Sequence, residues 1–300
     1  MGESMRGRQT ARLLTVVTAL AVTATVGRAQ TVVVTSPTGI FTNAGTTNTG
    51  DPFALDTWLR TNVRNNGSVG ITTNYPRSGN GSMWMMGTQG PAGNSSKADA
   101  EYFFGGGYIS PFALGMLTSL QYDHYRSSAS TASSIQVPSL RMYIDADGSA
   151  STTNDQGYLV YEPYYSGETI TDNVWQTSTI GSNSNLWFTQ FGVGLDPTFN
   201  RPLSAYQSGN YTVPGGFAAI TGNSIVFGLS SGIGSGWGPF EGAVDNIRVK
   251  YDDGTRFGRD VTFNFETQTT ATPEPATWAL MGTGLIGLVG MNRRRRKLLR

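Results

Sequence analysis

The sequence predicts an all-β fold, an antiparallel β-sandwich, and three observations carry that prediction. Between Thr31 and Phe265 the apolar residues mostly recur at every second position, the runs they form are short, and stretches rich in Gly, Ser, Thr and Asn separate them without regular helices between. Period-two runs of this kind are half-buried strands, and many of them in succession bury their apolar faces by packing two antiparallel sheets together.

In chain order the expected strands are Ser82 to Met86, Leu120 to Arg126, Leu140-Met142-Ile144 set against Arg141-Tyr143-Asp145, Tyr158 to Glu162, Leu186 to Phe191, and Ser224 to Leu229. Ile247-Val249-Tyr251 and Val261-Phe263-Phe265, the latter set against Thr262 and Asn264, close the series. A spacing near 3.6 occurs at Leu55, Leu59 and Val63, which predicts one short helix over 56–65. With no internal repeat and no second core boundary, residues 30–272 form one sandwich ectodomain, for which a jelly roll is the favoured arrangement.

Composition agrees with a folded, turn-rich and weakly charged domain. Of 300 residues 39 are Gly and 13 Pro, and 11% are aromatic, which supplies core volume. Charged residues make up 14%, against roughly 25% in an average soluble protein. Without a single cysteine the chain has no disulfides, no thiolate metal site and no cysteine nucleophile. The net charge of +1 hides an asymmetry: 30–272 holds 11 Lys and Arg against 18 Asp and Glu, a net −7, because the cations gather at the two ends. An ectodomain this acidic is not built for nucleic acid.

The ends read as targeting segments. Arg6, Arg8 and Arg12 precede an uncharged run from Leu13 to Val26, and Gly27-Arg28-Ala29 follows with small residues where a signal peptidase needs them. Residues 1–29 are therefore expected to be a signal peptide cleaved between Ala29 and Gln30. At the other end, Pro273-Glu274-Pro275 precedes an uncharged apolar stretch from Ala276 to Met291 and the cluster Arg293-Arg294-Arg295-Arg296-Lys297. Sixteen helical residues extend about 24 Å, short of a hydrocarbon core of about 30 Å, so 276–291 is expected to span the membrane only marginally. The basic tail, 292–300, is the stop-transfer signal, and it orients the chain with the tail in the cytoplasm and the N-terminal side outside.

Pro-Glu-Pro, then an apolar helix rich in Gly and Leu, then an arginine cluster resembles the PEP-CTERM sorting signal, here residues 273–300. The resemblance implies a Gram-negative bacterium that makes exopolysaccharide, and an exosortase, a membrane-embedded cysteine transpeptidase, as the processing enzyme. It also implies a membrane-held intermediate followed by residence at the cell surface or in the extracellular matrix of a biofilm. Thr272 stands where Val is common in that family. Two shorter runs, Arg77-Ser78-Gly79-Asn80-Gly81-Ser82 with Met83-Trp84-Met85, and Gly242-Ala243-Val244-Asp245-Asn246-Ile247, resemble segments of jelly-roll modules that bind or accompany carbohydrate.

Chemistry-bearing groups are few. Asp145-Ala146-Asp147-Gly148, with Asp155 beyond, offers alternate carboxylates of the kind a structural calcium ion uses. It departs from the EF-hand loop at Ala150 and Gln156, and the same residues also make an ordinary Asp-Gly turn. Asp252-Asp253-Gly254 is a similar turn. His124, the sole histidine, alternates with Asp123 on a strand, so the two point to opposite faces, and without a Gly-x-Ser-x-Gly elbow it is expected to be a hydrogen-bonded strand residue. The carboxylate pairs Glu162 with Glu168 and Glu241 with Asp245 have no separation that sequence reveals. Among the aromatics, Trp175, Trp187 and Trp237 are candidates for a platform that stacks on sugar rings.

The reading is a non-enzymatic, exosortase-processed surface protein, structural or adhesive in exopolysaccharide, with signal peptidase and exosortase as processing partners. A carbohydrate-binding module is the alternative and a secreted polysaccharide hydrolase the second. No cofactor is expected beyond the calcium ion that the aspartates admit.

Overall fold

A computed structural model describes residues 29–35, 46, 48, 54–88, 96–149, 151–191, 194–195, 198–212, 219–234 and 236–267. The predicted signal peptide before Ala29, the Pro-Glu-Pro motif, the 276–291 span and the basic tail lie outside them. Among the described residues no helix is long and apolar enough to cross a membrane.

The chain runs through β1 (Gln30–Thr35), β2 (Trp58–Arg64), β3 (Ser68–Thr72), β4 (Ser82–Gly87), β5 (Lys97–Phe103), β6 (Phe112–Ala113), β7 (Leu117–Arg126), β8 (Ser139–Asp145) and β9 (Gln156–Tyr161). It continues through β10 (Gln176–Ile180), β11 (Asn185–Gln190), β12 (Gly194–Leu195), β13 (Arg201–Pro202), α1 (Leu203–Gln207), β14 (Tyr211–Thr212), β15 (Ala219–Ile220), β16 (Ile225–Ile233), β17 (Phe240–Tyr251) and β18 (Arg259–Glu266).

These strands form two principal sheets. In the first, the long β17 is the spine: β7 lies along one edge with β10 beyond it, while the other edge carries β4–β3 along its first half and β18–β1 along its second. The second sheet has the order β12-β11-β9-β8-β16-β5-β2, with β13 on β11 and β6 on β16. Between them sits one core, to which β8 and β9 send Leu140, Met142, Ile144, Leu159 and Tyr161, and β17 and β18 send Val244, Ile247, Val261, Phe263 and Phe265. The sandwich expected from the period-two pattern is the fold.

Three details differ from the sequence reading. The helix expected over 56–65 is strand β2, because a spacing of four is common to a helical stripe and to alternate strand positions; Trp58 enters the core and Leu59 points away from it. β1 lies parallel to β18, an exception to the antiparallel expectation, and it begins at Gln30, the residue after the predicted cleavage point. The central strands β5 and β8 of the second sheet are also not half-buried. Every residue of β8 is buried, the outward Arg141, Tyr143 and Asp145 included, so this sheet has a second packed face.

The two carbohydrate-module-like runs interlock. Ala243 of β17 pairs with Trp84 of β4, and the turn before β4 docks on the bulge of β17, where Asn246 has φ 49° and interrupts the register. The Ser78 amide donates to Asp245 at 3.2 Å, and the Asn246 side chain donates to Ser78 at 2.7 Å and to Asp123 at 2.8 Å.

Candidate functional site

The outer face of the second sheet is built around a small-residue floor. Outward positions of the central strand β16 are Gly228, Ser230 and Gly232, and their register partners are Phe103, Glu101 and Asp99 on β5 and Tyr143, Arg141 and Ser139 on β8. The missing side chains at Gly228 and Gly232 leave a trough into which larger neighbours lean from both sides. A Cβ on Gly232 would lie 1.9 Å from Asp99 Oδ1, and one on Gly228 would lie 3.1 Å from Tyr143 Cδ2.

At one end of the trough charges are paired. Asp99 accepts from Arg141 Nη1 at 2.8 Å, from Lys97 Nζ and from the Asn62 amide at 3.0 Å. Asn62 reaches it from a bulge in β2, where its φ of 50° is one that Asn tolerates. Burial alone would raise the Asp99 carboxyl, but Arg141 and Lys97 hold it below its ordinary value. Burial brings Lys97 down to about 8, against the opposing pull of Asp99.

Glu101, the next outward residue of β5, has no such cation in hydrogen-bond contact among the described residues. It accepts from the Tyr158 hydroxyl at 2.7 Å, and that hydroxyl lies 2.8 Å from the Tyr143 hydroxyl. Burial, and then the nearby Asp99 charge, raise the Glu101 carboxyl. Burial likewise raises both phenols, which therefore stay neutral donors.

Beside Glu101 the trough opens into a cavity of about 540 Å³. Its walls are Phe103, Phe104, Tyr143, Phe191 and Phe227, and Asn62, Gln156 and Glu101 add polar groups. Tyr143 sits 4.8 Å from Phe103, 5.3 Å from Phe227 and 5.8 Å from Phe191, centroid to centroid. Leu55 and Phe191, also in the lining, are 61% and 37% exposed, an apolar rim turned to solvent. Aromatic walls with a few convergent hydrogen-bonding groups are the general make-up of a small-molecule or saccharide site.

Other sequence candidates fall elsewhere. Trp175 is half-buried ahead of β10, 5.5 Å from Tyr125 in the first sheet, whereas Trp187 belongs to β11 of the second sheet and donates to Glu162 at 3.0 Å. Trp237 packs in the core against Phe240. The three tryptophans therefore share no platform, and the aromatic walls of the trough are Phe and Tyr instead. His124 is buried, with Nε2 3.0 Å from Ser178 Oγ; Ser178 in turn donates to Glu168 at 2.8 Å. Because the serine proton is given to Glu168, His124 acts as the donor in this contact and is a hydrogen-bonded strand residue. Glu241 accepts from Trp84 at 2.9 Å, and Asp245 accepts three backbone amides, from Ser78, Asn246 and Phe265.

Asp145, Asp147 and Asp155 do come together, at the hairpin joining β8 to β9, with one carboxylate oxygen of each within 4.8 Å of the others. Gln156, which stands where an EF-hand would have its last ligand, instead donates to Asp145 at 2.9 Å. At the similar turn Asp252-Asp253, Arg259 pairs with Asp253 at 2.9 Å.

Comparison with known proteins adds one match outside the described residues. Residues 271–296 match the PEP-CTERM protein-sorting motif, so the chain carries that motif. No curated protein matches the chain. Among solved structures it is similar to a family 11 carbohydrate-binding module from Clostridium thermocellum in complex with a β-1,3-1,4-mixed-linked tetrasaccharide, at 14% identity and a TM-score of 0.37, over 67% of this chain and 93% of that one. It is also similar to an endo-β-1,4-glucuronan lyase from the fungus Trichoderma reesei, at 12% identity and a TM-score of 0.35, over 67% of this chain and 92% of that one. Scores this low carry no ligand or activity across to this chain.

Proposed function

We propose that this chain is an exported, exosortase-processed protein of the cell surface or extracellular matrix, and that it acts there by holding a glycan in the outer trough of its second sheet. Its role is structural or adhesive within exopolysaccharide. The observation that carries the binding half is the cavity beside Glu101, where five aromatic residues surround a small set of amide, carboxyl and hydroxyl groups. Ring faces stack on the apolar faces of sugars while planar polar groups take their hydroxyls.

Binding rather than turnover fits the carboxylates. Glycoside hydrolysis in most families needs two, flanking one bond. Glu101 is the sole carboxylate among the described lining residues, and its neighbour Asp99 is committed to Arg141, Lys97 and Asn62.

Delivery rests on the sorting motif at 271–296. Export by a signal peptide, a short stay in the membrane and cutting near Pro273-Glu274-Pro275 would release an ectodomain beginning at Gln30. Cell fractionation with intact-mass measurement tests this half. A surface or secreted product running from Gln30 to near Pro273 is expected; a full-length chain retained in the membrane contradicts it.

A further inference from the structure

We propose that the β8–β9 hairpin holds a calcium ion between Asp145, Asp147 and Asp155. Their three carboxylates converge to within 4.8 Å, and no lysine or arginine among the described residues forms an ion pair with any of them. The second observation is separate from that clustering. Asp155 is 2% exposed and its Oδ1 has no hydrogen-bond partner among the described residues, so a charged oxygen is left bare in a nearly closed place. An unpaired buried carboxylate oxygen is costly, and a cation is the partner that satisfies it while also offsetting the repulsion among three anions.

The remaining contacts hold the carboxylates in place. Asp155 Oδ2 accepts the Asp147 amide at 2.9 Å, Asp145 Oδ1 accepts the Gly148 amide at 2.7 Å, and Asp145 Oδ2 accepts from Gln156. Asp147 accepts from the Ser149 amide at 2.7 Å and from the Thr152 hydroxyl. Every one of these donors is neutral, so three negative charges remain to be balanced. An all-oxygen set without His or Cys selects a hard divalent ion. Carboxylates carried by three separate residues suit the irregular six-to-eight-fold shell of calcium better than the strict octahedron of magnesium.

The test uses the full-length protein, stripped with a chelator and titrated with calcium chloride by calorimetry, with melting followed in parallel. One calcium per chain is expected, with a rise in Tm of about 5–10 °C at a hundredfold excess over Kd. Asp155→Asn, which keeps the shape and the acceptor for the Asp147 amide, is expected to weaken calcium binding at least tenfold. Asp253→Asn, at a carboxylate already paired with Arg259, is expected to leave it unchanged. Wild-type protein that neither binds calcium nor melts higher in its presence overturns the assignment, and this result does not depend on any variant folding. Calcium binding that survives Asp155→Asn, or that is lost with Asp253→Asn, overturns the location, and equal affinity for magnesium overturns the choice of ion.

Discussion

Arg141 on β8 reaches past the central strand β16 to Asp99 on β5, Nη1 to Oδ1 at 2.8 Å, and both side chains are almost entirely withdrawn from water. Gly232 makes the reach passable, because any side chain there would stand where the Asp99 carboxylate stands. The pair also sets the character of its neighbour. With Arg141 and Lys97 turned to Asp99, Glu101 is left to neutral hydroxyl donors and keeps its proton to higher pH than an ordinary carboxyl.

Removing one partner of this buried pair is expected to be far more damaging than removing an exposed charge. Asp99→Ala strands Arg141 and Lys97 and is expected to cost about 3–5 kcal/mol of unfolding free energy. The double variant Asp99→Ala with Arg141→Met is expected to lose less than the two single variants together. Denaturant melts of the three proteins read the coupling directly; strictly additive losses would show that the contact contributes nothing.

Gly232→Ala tests the floor of the trough without touching a charge. Its Cβ would meet Asp99 Oδ1 at 1.9 Å and the Ala98 carbonyl oxygen at 2.7 Å. The carbonyl belongs to a paired strand and cannot move aside, so a loss of about 1–3 kcal/mol is expected. A melt indistinguishable from that of the parent protein would mean that β5 and β16 are not held in this register.

Asp245 gives the first sheet a pH dependence. Burial raises its carboxyl to about 7, although the amides of Phe265, Asn246 and Ser78 pull the other way. Between its ordinary value of 3.8 and about 7 the folded chain holds more protons than the unfolded one. Its contribution to stability is therefore complete below that window and falls as pH rises through it, by roughly 1.4 kcal/mol per pH unit at most. Melts of wild type and Asp245→Asn from acid to neutral pH are expected to show this slope in their difference; a flat difference contradicts it.

Much of the fold was legible because alternation is a local property. Val261-Phe263-Phe265 and Leu140-Met142-Ile144 point into the core as their spacing requires. β5 escapes the sequence reading although Lys97-Ala98-Asp99-Ala100-Glu101-Tyr102-Phe103 alternates too, because over its first five residues the inward positions are alanines and the outward ones are charged. Such a strand looks solvent-facing until a partner buries its charged side, and here the partners are Arg141 and Asn62, 42 and 37 residues away. The Gly228-Leu229-Ser230-Ser231-Gly232 run was the available clue, since small residues at alternate positions of an apolar strand mark a close approach. The tryptophans were singled out for their chemistry, but ring type says nothing about which sheet face a residue reaches. The aspartates of the β8–β9 hairpin were legible because their spacing and their closeness in space both follow from one short turn.

The most direct test of the account is binding of the full-length protein and its variants to a glycan array. Wild type is expected to bind a restricted set of polysaccharides, and Phe191→Ala and Glu101→Gln are each expected to weaken that binding at least tenfold, about 1.4 kcal/mol, with melting little changed. Trp175→Ala, on the other sheet, is expected to bind as wild type does. Binding that survives both trough variants, or no binding to any glycan, would contradict the trough as the working surface of this protein.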